Sequence, residues 1–137
     1  DYPVMALEGL WSTPEGKPIG MTDKGSWLWT SMMMQPKCVT PAWFRKAVDT
    51  VRSKKELPSL ELARLEPFDE GLSAQVMHIG PYSAEGPTIE RLHSFIKESG
   101  YVPRGRHHEI YLGDPRRSAP EKLRTVIRQP VSPAGGL

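Results

Sequence analysis

His107-His108-Glu109-Ile110-Tyr111-Leu112-Gly113-Asp114-Pro115 is a short run that alternates along its length and stops at a Gly-Asp-Pro turn. The pattern predicts a β-strand. Alternation places His107, Glu109 and Tyr111 on one face and His108, Ile110 and Leu112 on the other. The second face suits a core. The first carries an imidazole, a carboxylate and a phenol in a row, and such a face is either wet or lines a pocket.

Composition narrows the class. With 137 residues the chain is one domain, or one domain lacking a piece, and is long enough to bury a sizeable core. Charged residues at 25% and hydrophobic residues at 38% place it among ordinary soluble globular proteins. A formal charge of +2 gives no argument for nucleic acid or a membrane surface. The 14 prolines punctuate the sequence rather than cluster, so they read as turns. No run approaches a membrane span and no signal peptide is visible. The single cysteine, Cys38, excludes an intramolecular disulfide and fits a reducing compartment, the cytoplasm. The chain starts at Asp1 without Met while its first residues already read as a strand, which points to truncation or processing.

Outward from the quoted stretch, the expected elements are extended chain over 2–10, a loop over 12–25 and a strand over 27–35, the two strands forming a hairpin. Thr40-Pro41 is a helix start, with Trp43, Phe44, Ala47, Val48 and Val51 at helical spacing. A connector over 57–71 leads to a strand over 72–79. A second helix presents Ile89, Leu92, Phe95 and Ile96, with Gly100 at its C-terminal cap. Strands follow over 107–112 and 123–129, with a short helical turn at Pro120-Glu121 between them, and 132–137 reads as a frayed tail. The class is α+β. From residue 72 the order is strand, helix, strand, strand, and residues 2–55 read as strand, strand, helix. That is a hint of a duplicated βαββ unit whose front is missing.

Few reaction classes fit. His78, His93, His107 and His108 show no metal-ligand spacing: His107 and His108 point to opposite faces of a strand, and His78 and His93 read as structural histidines, so no metal and no cofactor is expected. No nucleophile elbow or phosphate loop is present. Arg104, Arg106, Arg116, Arg117, Arg124 and Arg128 give the C-terminal part a basic cast, read as a solvated face rather than an RNA site. The aromatic residues say more. Trp27 and Trp29 share a strand face with Ser31 and Met33, while Leu28, Met32 and Met34 take the other. They are either plain core or the walls of an apolar cavity. Opposite Glu109 and Tyr111, such walls suit a planar or cationic organic molecule.

The segments His78-Ile79-Gly80-Pro81-Tyr82, Glu109 to Pro115, Leu123-Arg124-Thr125 and Gln129-Pro130-Val131 resemble, in order and separation, the GyrI-like small-molecule-binding domain. Pro3 to Trp11, Trp27-Leu28-Trp29-Thr30 and Met34-Gln35-Pro36 look like its cyclopropanoid cyclopropyl hydrolase branch. The resemblance implies tandem βαββ modules with an antiparallel sheet, helices on one side and a ligand cleft on the other. Residues 1–56 would then be the remainder of a first module plus a linking helix, 57–71 a connector, 72–131 the second module and 132–137 a tail. The first strand and helix would be absent, to be supplied by a missing N-terminal segment or a second chain. The resemblance also implies an aromatic cage with a central acid. It maps to Glu109 and Tyr111 as catalytic groups and Trp27 and Trp29 as walls, with Trp11, Tyr82, His107, Met33 and Glu8 as further ligand-binding residues. For Glu109 the competing expectation is an ion pair with Arg124 or Arg128 across strands. Three functions follow: a hydrolase opening the cyclopropane of DNA-alkylating compounds, a non-catalytic binder or sink for aromatic or cationic drugs, and a gyrase-inhibitor-like interaction protein.

Overall fold

The computed structural model describes residues 1–15 and 24–135. The expected loop over 12–25 falls largely outside the described residues, as do the last two residues of the expected tail. The described residues are α+β, with two helices and a six-stranded antiparallel sheet. The chain divides into two units, one of residues 1–33 with 70–137 and one of residues 34–69.

In the larger unit, β1 (Leu7–Ser12) and β2 (Leu28–Met33) form the expected hairpin. β3 (Ser73–Ile79) leads through a 3-10 turn at Tyr82–Ala84 into α2 (Gly86–Glu98). Then come β4 (Tyr101–Pro103), β5 (His107–Tyr111) and β6 (Arg124–Pro133). The sheet runs β2-β1-β5-β6-β3, and β4 pairs with the far end of β6. Gly100, with φ of +81°, follows the C-terminal cap of α2 in the left-handed conformation that favours glycine.

The tail expectation needs correction. Residues 132 and 133 are strand, because Tyr101 and Val102 pair with Pro133 and Ser132. β4 itself was not anticipated, since three residues ending in proline carry no alternation of their own.

The core sits between α2 and β6. Leu92 and Ile96 project from the helix onto Ile127 and Val131, and Ile127 is fully buried. Val76 lies opposite Ile127 on β3 and packs into the same cluster. Phe95, expected on the buried stripe, is exposed. His78 fastens the end of β3 to the start of α2, with Nδ1 3.0 Å from Thr88 Oγ1 and Nε2 3.2 Å from the Pro81 carbonyl.

The smaller unit holds α1 (Pro41–Arg52) and a 3-10 turn at Pro58–Leu62. Thr40 caps α1 as expected, its Oγ1 accepting from Trp43 N–H at 3.3 Å, with Pro41 at the first helical position. Arg52 reaches Asp49 at 3.0 Å and Glu61 at 2.9 Å; both pairs are exposed and contribute little. Among the described residues, no helix is long and apolar enough to cross a membrane.

Candidate functional site

Registration of β1 against β5 builds the site. Leu7, Gly9 and Trp11 face Tyr111, Glu109 and His107 in turn, so these six positions share one side of the sheet. Glu109 sits at the centre. Its Oε1 is 2.9 Å from His107 Nε2, and its Oε2 accepts from the Tyr111 hydroxyl at 2.8 Å. Trp11 Nε1 donates to that same hydroxyl at 3.1 Å. The result is an unbroken chain from indole to phenol to carboxylate to imidazole, on a face whose four members come from two adjacent strands.

Above this chain lies a cavity of about 1070 Å³, large enough for a multi-ring organic molecule. Trp11 anchors an aromatic wall, with Trp27 edge-on at 5.9 Å and Trp29 stacked at 6.2 Å. Tyr82 stands edge-to-face on Tyr111 at 5.7 Å. Met33 and Leu7 extend the apolar lining, and Ile89 and His93 bring α2 into it.

Titration behaviour follows from this enclosure. Burial, then the Glu109 charge and hydrogen bond, push the Tyr111 phenol well above its ordinary range, so it stays a donor. Tyr82 is raised first by burial, then by Glu85, Glu109 and Asp114. His93 is lowered by burial and then by His107. Asp114 is held at about 2, chiefly because Arg116 donates to it from both side chain and backbone.

Of the residues singled out from sequence, Glu109, Tyr111, Trp11, Trp27, Met33, Tyr82 and His107 line this cavity together. Trp29 does not: it is the cross-strand partner of Trp11 on edge strand β2, is 62% exposed, and covers the indole of Trp11. Trp27 lies just before β2, which begins at Leu28. Glu8 points to the opposite side of the sheet, as alternation from Gly9 requires, and meets His108 there. The cross-strand ion pair considered for Glu109 is not formed. Arg128 instead reaches Gln75 at 2.9 Å and Glu70 at 3.4 Å.

The expectation of a helix on one side and the cleft on the other also needs correction for α2. Ile127, which α2 covers, is the cross-strand partner of Glu109, which faces the cavity, so both lie on one side. The helix packs against β3, β4 and β6 and leaves β5, β1 and β2 to the cavity, forming its side wall.

The reverse face of β5 is not a plain apolar core. His108, 1% exposed, holds Glu8 Oε2 at 2.7 Å through Nε2 and both Glu70 oxygens at 2.9 Å through Nδ1. Residues missed from sequence are Glu85, His93, Gln129 and Asp114, all on the cavity lining. Gly86, Ile89 and His93 recur at helical spacing, which was the available signal for the third wall. Glu85 gave none, since it precedes the helix. Among the described residues no cluster of ligating side chains suits a metal ion.

Residues 51–132 match the GyrI-like small molecule binding domain. No curated protein matches the chain. Solved structures do. One is an uncharacterized conserved protein from Listeria innocua, 38% identical with a TM-score of 0.82 over 96% of this chain and 66% of that one. Two others are described as hydrolases from Listeria innocua. One is 36% identical with a TM-score of 0.78, covering 96% and 64% of the two chains. The other is 40% identical with a TM-score of 0.76, covering 96% and 65%. The chain thus spans just under two thirds of the length of these relatives. With more than half its length matched, it belongs to the GyrI-like family of small molecule binding domains.

Proposed function

We propose that the cavity is a hydrolase site that opens the cyclopropane of flat, aromatic, cyclopropanoid alkylating compounds by adding water. The observation that carries this reading is the placement of Glu109, gripped by His107 and Tyr111, beneath the indoles of Trp11 and Trp27. Two relatives described as hydrolases support it. The substrate lies flat against the indoles with its dienone carbonyl toward Tyr111. Tyr111 turns its O–H from Glu109 to that carbonyl, which frees Glu109 to take a proton from water. The water oxygen bonds to the cyclopropane methylene as the ring carbon–carbon bond breaks. Its electron pair passes through the ring system to the carbonyl oxygen, which becomes a phenolate held by Tyr111. Glu109 returns its proton to the phenolate through Tyr111. One water is added and the site is restored.

The same proposal reads residues 72–131 as the second of two βαββ modules, with residues 1–56 the remainder of a first plus a linking helix, and places the protein in the cytoplasm on the strength of its lone cysteine. The test is mass spectrometry of a cyclopropapyrroloindole-type compound incubated with the protein and with Glu109→Gln. The expected result is a product heavier by one water, formed about a hundredfold more slowly by the variant. Ligand quenching of tryptophan should change far less. Unchanged turnover in the variant refutes the role of Glu109.

A second reading, a sink for cationic aromatic molecules without chemistry, is favoured by one observation: two carboxylates, Glu85 and Glu109, line the cavity beside its aromatic walls. Saturable quenching by such a molecule with no water adduct from any cyclopropanoid supports it over the hydrolase.

A further inference from the structure

Gly9 lies on β1 between Ser31 of β2 and Glu109 of β5. A Cβ at this position would stand 2.9 Å from Trp11 Nε1 and 3.0 Å from the Tyr111 hydroxyl. These are the two atoms joined by the indole-to-phenol hydrogen bond. Neither yields freely. The Trp11 ring is flanked by Trp27 and Trp29, and the Tyr111 hydroxyl is tied to Glu109. The backbone of Gly9 is outside the left-handed region, so conformation does not demand glycine here. What the position demands is the absence of a side chain.

That absence has a consequence for the reacting pair. A phenol has one hydrogen to donate. When the Trp11 N–H occupies an acceptor site on the Tyr111 oxygen, the hydroxyl hydrogen points away from the indole and toward Glu109. We propose that Gly9 is a positioning residue, its bare backbone forming the slot in which the Trp11 N–H meets the Tyr111 oxygen and so holds that hydroxyl where its one hydrogen serves Glu109 at rest and the substrate carbonyl in the reaction. The role rests on the reading of Tyr111 and Glu109 as the reacting groups, but the slot itself is a property of the free protein. Any side chain at residue 9 separates indole from phenol and shifts the Tyr111 oxygen from its place beside Glu109 and the substrate carbonyl.

The experiment is a cycle of Gly9→Ala and Trp11→Phe in the full chain. Two readouts are followed: the indole N–H resonance of Trp11, assigned by its disappearance in Trp11→Phe, and water addition to the cyclopropanoid substrate. In Gly9→Ala the Trp11 resonance should leave its hydrogen-bonded position and turnover should fall about a hundredfold, the scale for displacing a catalytic group by an ångström. In the Trp11→Phe background, where the clashing N–H is gone, adding Gly9→Ala should cost only about twofold more. An unmoved indole resonance, or an equal loss in both backgrounds, overturns the proposal. If Gly9→Ala alone does not fold, Trp11→Phe should restore folding, and failure to do so also overturns it. Should the wild-type protein form no water adduct, the hydrolase reading fails while the indole resonance still decides the slot.

Discussion

Removing the His108 imidazole should cost the larger unit about 3 kcal/mol, the scale for leaving buried carboxylates without a hydrogen-bond partner. The structure sets that figure. The ring is 2% exposed at its side chain, and its partners Glu8 and Glu70 are 16% and 11% exposed. A carboxylate lies within hydrogen-bond distance of each ring nitrogen, so removing the ring strips a partner from both Glu8 and Glu70. In His108→Ala, Glu70 keeps Arg128 at 3.4 Å, but Glu8 loses the 2.7 Å contact and faces Glu70 across the space the ring leaves. Partial access to water keeps the cost below the upper figures for such losses. In urea, with a slope of about 2 kcal/mol per molar, the midpoint should fall by about 1.5 M. Adding Glu8→Gln to His108→Ala should recover about 1 kcal/mol, because an amide is cheaper to bury than a charge. A midpoint shift below about 0.3 M at unchanged slope refutes the argument, as does a second substitution that only adds to the loss.

Tyr111 should ionise late in a spectrophotometric alkaline titration, and Tyr111→Phe should delete that late component. Because its folded value is raised above the ordinary 10.0, the stabilisation is complete below that pH and is lost as pH climbs through the folded value, so unfolding free energy should fall above pH 10.0. His93 should stay neutral below its ordinary 6.5 when its ring protons are followed by NMR. Its lowered folded value means that the unfolded chain takes the proton first, so His93 removes stability as pH drops below 6.5 and none above. Ile127→Ala empties a fully buried site between α2 and the sheet and should cost about 3 kcal/mol by denaturant titration; a loss under about 1 kcal/mol would mean that the core closes over the gap.

The legible parts of this fold are those in which chemistry and periodicity lie within a few residues. Alternation alone put His107, Glu109 and Tyr111 on one face, and the Thr40-Pro41 pair located a helix start to the residue. Long-range relations were not legible. Period-two spacing grouped Trp27 with Trp29, yet one lines the cavity and the other covers Trp11 from outside, because β2 begins only at Leu28. The sequence admits Glu8 as a cavity carboxylate, but its side is fixed by pairing with a strand about a hundred residues away. The contact of Glu70 with His108 has no local signature at all. Periodicity likewise tells which residues share a face but not what covers it, which is why α2 and the cavity prove to occupy the same side.

Strand β5 gives its odd positions, His107, Glu109 and Tyr111, to the cavity, and His108 between them to the carboxylates behind the sheet. Such a strand tolerates exchange of side chains but not a change of length. Deleting one residue at the turn before His107 would move His108 into the cavity and press Glu109 against Glu8 and Glu70. Evolution toward new ligands is therefore confined to the surrounding walls, at Leu7, Met33 and Ile89, where substitution reshapes the space and leaves the register alone. Homologues with altered specificity should differ at those walls and keep the spacing of this strand unchanged, and libraries for redirecting the protein belong there.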